Sequence, residues 1–132
     1  ILLPEEVVVS KSIESSESRV CRIDAVENDE MILDQILSSK VLKNIADARQ
    51  IIWNGPVGVF EQKPFSQGTQ ELTEAIAASN AYSIAGGGET LLAIKMFTDK
   101  SNISYCSTGG GAFLEFMEGK ALPSLSALGF KF

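Results

Sequence analysis

Three glycine-rich turns hold the residues best suited to chemistry in this sequence: Asn54-Gly55-Pro56-Val57-Gly58, Gly86-Gly87-Gly88-Glu89-Thr90 and Thr108-Gly109-Gly110-Gly111. Glycine lets a ligand approach the backbone closely and frees N–H groups to point at it. Two of the runs lead straight into helical patterns. A helix N-terminus offers unpaired N–H donors and about half a positive charge, and phosphate is its natural guest. The competing reading is structural, because glycines also make tight strand-to-helix turns. Two Gly-Gly-Gly runs at one edge of a sheet favour phosphate. If these glycines exist for ligand access, a side chain at Gly110 should obstruct the ligand before it strains the fold.

The nearby polar residues carry two readings each. Glu61 either accepts hydrogen bonds from ribose hydroxyls or is a solvated loop charge. Glu89 and Thr90 open a helix, where acids and hydroxyls serve as caps and dipole partners. Alternatively, Glu89 is a direct or water-mediated ligand of a nucleotide-bound Mg2+. Trp53 sits in an apolar run and reads as core, and the acids of residues 27–34 read as a solvated helix entry.

Other chemistries fail on residue type. The chain has no histidine, so a Ser-His-Asp triad is excluded. It has no CxxC, and its two cysteines, Cys21 and Cys106, lie far apart in apolar runs. A zinc site is therefore not expected, and neither thiol has a histidine to activate it. Both read as buried free thiols, which suits a reducing compartment. There is no GxxxxGK[ST] motif, and Gly86-Gly87-Gly88 does not fit GxGxxG.

Strands and helices must position these turns. Val7 to Ser10 is a β-branched run, and residues 11–24 suggest a surface hairpin. Leu33, Ile36, Leu37, Val41, Leu42, Ile45 and Ala46 recur at helical spacing, predicting a helix over about 31–48. A strand at 50–53 ends at the Asn54-Gly55-Pro56 turn. Further strands over 82–85 and 103–107 each end in a glycine run. Helices follow around Leu72–Ser79, Leu91–Thr98 and Phe113–Met117, the last stopped by Gly119. This alternation predicts an α/β fold, a Rossmann-like parallel sheet with helices on both faces. Ligands of such sheets bind beyond the carboxyl ends of the strands, where parallel strands place all three turns.

Composition agrees with a single globular unit. The 132 residues are 45% hydrophobic and 21% charged. A net charge of −6 with eleven scattered basic residues offers no face for nucleic acid. No apolar run approaches the ~18 residues of a membrane span. The chain opens Ile1-Leu2-Leu3-Pro4, without Met or a basic leader, and reads as a cut chain.

The segment from Trp53 to Glu61, continued by Phe65 and Gly68-Thr69, resembles a signature of phosphoglycerate kinases. Ile84 to Thr90 resembles that family's glycine-rich nucleotide segment. Ser107 to Glu115, with Glu118-Gly119-Lys120 and Leu122-Pro123, resembles its last catalytic helix and tail. The resemblance implies that residues 1–132 are the C-terminal part of the nucleotide-binding domain of a two-domain kinase. A tail from about 120 to 132 would return toward an N-terminal domain outside this sequence. The implied reaction is reversible phosphoryl transfer between 1,3-bisphosphoglycerate and ADP. ATP/ADP and Mg2+ would be bound here, and 3-phosphoglycerate by the N-terminal domain. The parent would be cytoplasmic, glycolytic and monomeric, with the isolated piece inactive. The alternative is a truncated nucleotide-binding or purely structural module.

By the same resemblance, Glu61 would hold the ribose hydroxyls with Asn54 nearby. Gly86, Gly87, Gly88 and Thr90 would cradle the phosphates, and Glu89 stands where the family has an aspartate associated with Mg2+. Gly109, Gly110 and Gly111 would face the transferred phosphoryl group. Two departures stand out. Glu89 is one methylene longer than aspartate. The stretch from Asp34 to Trp53 is shorter than the family pattern, with Gln35-Ile36-Leu37 where the family has a glycine and its neighbours.

Overall fold

Val7-Val8-Val9 forms the centre of strand β1 (Glu6–Ser10), buried on both sides. The computed structural model describes residues 1–131; Phe132, the end of the expected tail, lies outside the described residues. β1 pairs antiparallel with β2 (Arg19–Arg22) on one edge and with β3 (Met31–Gln35) on the other. The hairpin expected within 11–24 is wider than that: β2 alone lies in the stretch and its partner is β1, with Ile23–Ala25 turning into a short 3-10 helix. Val7 and Val9 pack with Cys21 on one side of this sheet, while Val8 packs with Leu33 and Phe65 on the other.

Helix α1 (Ser39–Asp47) then leads into β4 (Gln50–Asn54), α2 (Gln67–Ala78), β5 (Tyr82–Gly86), α3 (Gly88–Phe97) and β6 (Tyr105–Ser107). β4, β5 and β6 form a parallel sheet in that order. Trp53 and Ala85 point to one face, into a core with Phe60, Ile76, Ala93, Ile94 and Ile103. Helices α2 and α3 supply part of that core. α4 (Gly111–Met117) approaches the opposite face, where its Phe113 ring lies over Gly86. The α/β expectation holds, and Trp53 is core, 5% exposed. Both cysteines are free; Cys21 is buried and Cys106 only half-buried.

The helix expected over 31–48 begins at 39 instead, because residues 31–35 are strand β3. Leu33, Ile36 and Leu37 share the helical period with Val41 by coincidence. What decides the matter is pairing with a distant strand: Val8 faces Asp34 and Val9 faces Ile32. Ser38 marks the true helix start, its side chain accepting from Val41 N–H at 3.3 Å. The acids of 27–34 are thus no helix entry. Glu30 pairs with Arg19 at 2.6 Å, and Asp34 is buried.

α4 ends as Gly119 implied. Gly119 has φ +76, its N–H donates to Phe116 C=O, and Lys120 N–H reaches Glu115 C=O. This is the paired bonding of a glycine-terminated helix. A short α5 (Pro123–Ala127) follows in the tail. A cavity of about 690 Å³ lies between the sheet and α4–α5, lined by Ile84, Tyr105, Phe113, Met117, Leu122 and Leu125 among others. Its lining is mainly apolar and flanks the glycine turns. Among the described residues no helix is long and apolar enough to cross a membrane.

Candidate functional site

Parallel pairing sets the strand ends level: Asn54 stands opposite Gly86, and Gly86 opposite Ser107. The three glycine turns therefore leave the sheet at one edge. The first two are also bonded to each other. Gly55 N–H donates to Thr90 Oγ1 at 2.7 Å, so the start of α3 holds the turn after β4. Trp53 Nε1–H donates to Gly55 C=O at 2.8 Å, anchoring that turn to the core.

The glycines of these runs have different physical reasons. A Cβ on Gly86 would run into the Phe113 ring, so Gly86 is demanded by packing. Gly87 has φ +94, and a Cβ there would sit 3.0 Å from Asn54 Oδ1. Gly110 has φ +52, and an added Cβ there would meet no described atom within 4 Å. A side chain at Gly110 is therefore strained whatever binds, which corrects the expectation that its substitution would spare the fold. Gly88 and Gly111 have neither a positive φ nor any atom within 4 Å of an added Cβ. Among the described residues nothing demands glycine there, yet both are the first residue of a helix.

Neither of these helices has a side-chain cap on its N-terminus. The first-turn N–H groups of α3, from Gly88, Glu89 and Thr90, thus lack a capping acceptor. In the Gly109 run, Gly109 N–H donates to Ser107 Oγ at 3.2 Å, while Ala112 and Phe113 N–H turn back to Gly109 and Gly110 C=O. None of the three turns contains Lys or Arg, so backbone N–H groups are their positive element.

Thr90 is 1% exposed, with its oxygen engaged by Gly55, so its side chain ties two turns together and does not face the open edge. Asn54 and Glu89 are exposed at that edge. Glu61 is exposed on the turn after β4, between the buried rings of Phe60 and Phe65. No hydrogen bond among the described residues joins Glu61 to the glycine turns.

Asp34 was expected among the solvated acids of 27–34, and the structure corrects that. It is 1% exposed on β3, and its Oδ2 accepts from Gly68 N–H at 2.8 Å, at the start of α2. Its Oδ1 is buried without a hydrogen-bond partner among the described residues and lies against Gly58 and Gly68. Burial pushes its carboxyl above the ordinary range, partly opposed by the Gly68 bond. The one available signal was an acid inside the apolar run Met31-Ile32-Leu33.

A family model described as phosphoglycerate kinase matches residues 1–120. The solved phosphoglycerate kinase from Coxiella burnetii is 47% identical, with a TM-score of 0.85 over 95% of this chain and 33% of that one. The phosphoglycerate kinase from Pyrococcus horikoshii OT3 is 33% identical, with a TM-score of 0.75 over 95% of this chain and 31% of that one. The chain therefore spans about a third of the length of these structures.

Proposed function

Because this chain belongs to the phosphoglycerate kinase family, we propose that it supplies part of the ATP/ADP site of a kinase. The reaction is reversible phosphoryl transfer between 1,3-bisphosphoglycerate and ADP. One observation carries this reading at the site itself. Gly88 and Gly111 open two helices at one sheet edge, and nothing among the described residues excludes a side chain from either. A ligand that presses on the backbone supplies the missing reason.

Each residue then has a defined task. The N–H groups of Gly88, Glu89 and Thr90 hold the nucleotide phosphates, with Gly86 and Gly87 shaping the turn behind them. The run Gly109-Gly110-Gly111 faces the transferred phosphoryl group, and the N–H groups of Gly110 and Gly111 meet its charge as it moves, while that of Gly109 stays on Ser107 Oγ. Glu61 accepts from the ribose hydroxyls, with Asn54 beside the phosphate end. Phosphoryl transfer asks for positioning and charge neutralisation and needs no covalent nucleophile, in keeping with a chain that has no histidine.

Mg2+ fits this donor set. Mg2+ is commonly held by one or two carboxylates with substrate phosphates and water. Glu89 is exposed at the phosphate end, and no ion pair occupies it among the described residues. Among the described residues no group of three or more acidic, His or Cys side chains could hold the ion by itself. When bound, the ion neutralises charge on the phosphate oxygens. Glu89 holds it through one carboxylate.

On this reading 3-phosphoglycerate sits on a domain outside these 132 residues, toward which the tail from 120 onward returns. The exposed Leu128 and Phe130 of that tail support a docking role. The parent is a cytoplasmic, monomeric enzyme of glycolysis, and these residues alone do not turn over. Titrating the chain with Mg·ADP while following backbone amides by NMR tests the reading. We expect weak binding, Kd about millimolar or weaker, near −4 kcal/mol. Shifts should concentrate at 54–61, 86–90 and 108–111. A folded chain whose amides do not respond overturns it.

A further inference from the structure

We propose that Asp34 is a positioning residue for the nucleotide site: its buried carboxylate locks the Gly55–Glu61 loop against the start of α2 and so sets where Glu61 meets the ligand. The role in ligand binding rests on the function proposed above; the role in placing the loop does not.

Asp34 belongs to the antiparallel sheet, yet its carboxylate reaches into the parallel half. Oδ2 caps the start of α2 through Gly68 N–H, and Oδ1 fills the space that a Cβ on Gly58 or Gly68 would need. A local cap was available, because Ser66 precedes α2. Its hydroxyl turns away instead and donates to Lys63 C=O at 3.1 Å, making no cap bond. Helix capping alone therefore does not account for a buried acid carried in from another sheet.

Bonds on either side of Asp34 tie the loop to β3 and to α2. Val59 N–H donates to Leu33 C=O at 2.8 Å, beside Asp34 on β3. Val57 and Gly58 N–H both donate to Thr69 Oγ1, at 3.2 and 3.3 Å, next to Gly68. Phe60 and Phe65 are buried on either side of Glu61. The loop is thus clamped between β3 and α2, and Asp34 is the wedge that spaces the clamp. A wedge acts through shape and a single acceptor, both of which asparagine retains and alanine lacks.

The test compares wild type, Asp34→Asn and Asp34→Ala in the 132-residue chain, using urea melts and amide-resolved NMR with Mg·ADP as the probe. We expect Asp34→Ala to displace the Val57–Glu61 amides and weaken ADP at least fivefold in the folded fraction. Its ADP-induced shifts at Gly88–Thr90 should persist while those at Glu61 fade. Asp34→Asn should keep the loop amides in place and hold Kd within about threefold of wild type. If both variants lose stability but bind like wild type, with unmoved loop amides, Asp34 is only a cap and the proposal fails. If Asp34→Ala does not fold, Asp34→Asn decides: displaced loop amides with its shape retained overturn the wedge, and undisturbed ones support it. If wild type itself shows no ADP response, the nucleotide reading falls, and with it the ligand role of Asp34. The loop amides still judge the positioning.

Discussion

Thr90 Oγ1 accepts the N–H of Gly55 across 2.7 Å, and this one bond joins the end of β4 to the start of α3. Two turns far apart in sequence are thereby held as one surface. Thr90 is buried and Gly55 half-buried, so the bond sits where solvent reaches only in part. Thr90→Val keeps the shape and removes the acceptor. It should cost about 0.5–1.5 kcal/mol, the net worth of a typical hydrogen bond. Thr90→Ser should recover most of that. Urea melts of the three proteins check it; equal stability of Thr90→Val and wild type would show that the bond contributes nothing.

Gly86 and Gly88 should respond oppositely to alanine. At Gly86 the new methyl meets the Phe113 ring, so stability should fall by about 1–3 kcal/mol through overpacking. At Gly88 the methyl meets open space in a helical conformation, so stability should hold or rise by up to about 1 kcal/mol. Only Gly88→Ala should weaken ADP while leaving the fold intact. Parallel melts and ADP titrations separate the two, and unchanged ADP affinity in Gly88→Ala would remove the argument that this position is kept open for phosphate.

The same logic picks the informative glycine near the transferred group. Gly110→Ala should destabilise by about 1–3 kcal/mol because its φ is +52. Gly111→Ala should change stability by less than about 1 kcal/mol. In a full-length kinase carrying this segment, Gly111→Ala should cut kcat at least a hundredfold, about 2.7 kcal/mol. Near-normal turnover would place the phosphoryl group elsewhere.

Glu89→Ala should leave the melt of the chain nearly unchanged, since the side chain is exposed and unpaired. It should erase most of the gain in ADP affinity that Mg2+ brings over ADP alone. Glu89→Asp should keep that gain. A Mg2+ effect of the same size in wild type and Glu89→Ala would make Glu89 a helix-entry charge only.

Asp34 should leave a mark on the pH dependence of stability. Burial raises its carboxyl above 3.8, so the folded state binds this proton more tightly than the unfolded one. The contribution favours folding below the ordinary value and is lost as pH rises through the folded value. The stability of wild type minus that of Asp34→Asn should therefore fall as pH climbs from about 4 to 7, the span above the ordinary carboxyl value. The carboxyls of exposed Asp29 and half-buried Glu30 are held down by Lys11 and Arg19 and titrate in the opposite sense, but they are common to both proteins and cancel. A flat or rising difference in urea melts across that span would contradict the burial argument.

The parallel half of the protein was legible residue by residue. Gln50-Ile51-Ile52-Trp53 and Tyr82-Ser83-Ile84-Ala85 are short apolar runs ended by glycine, and the stripes between them have helical spacing. Such signals are local, decided by backbone preference and by which side of one element is apolar. Their alternation then dictates parallel strands and places the glycine turns at one edge. What the sequence could not contain was any feature depending on two distant segments at once. Met31–Gln35 became a strand because β1 offered a ladder, overriding a helical period that runs from Leu33 to Ala46. Gly86 and Gly88 read alike in the sequence; the Phe113 ring, carried in by α4, makes one a packing glycine and leaves the other open. Asp34 was one acid in an apolar run until folding set it against Gly58 and Gly68. Closing those long loops costs entropy that only the assembled core repays, so the contacts belong to the tertiary structure and leave no signal in the neighbouring residues.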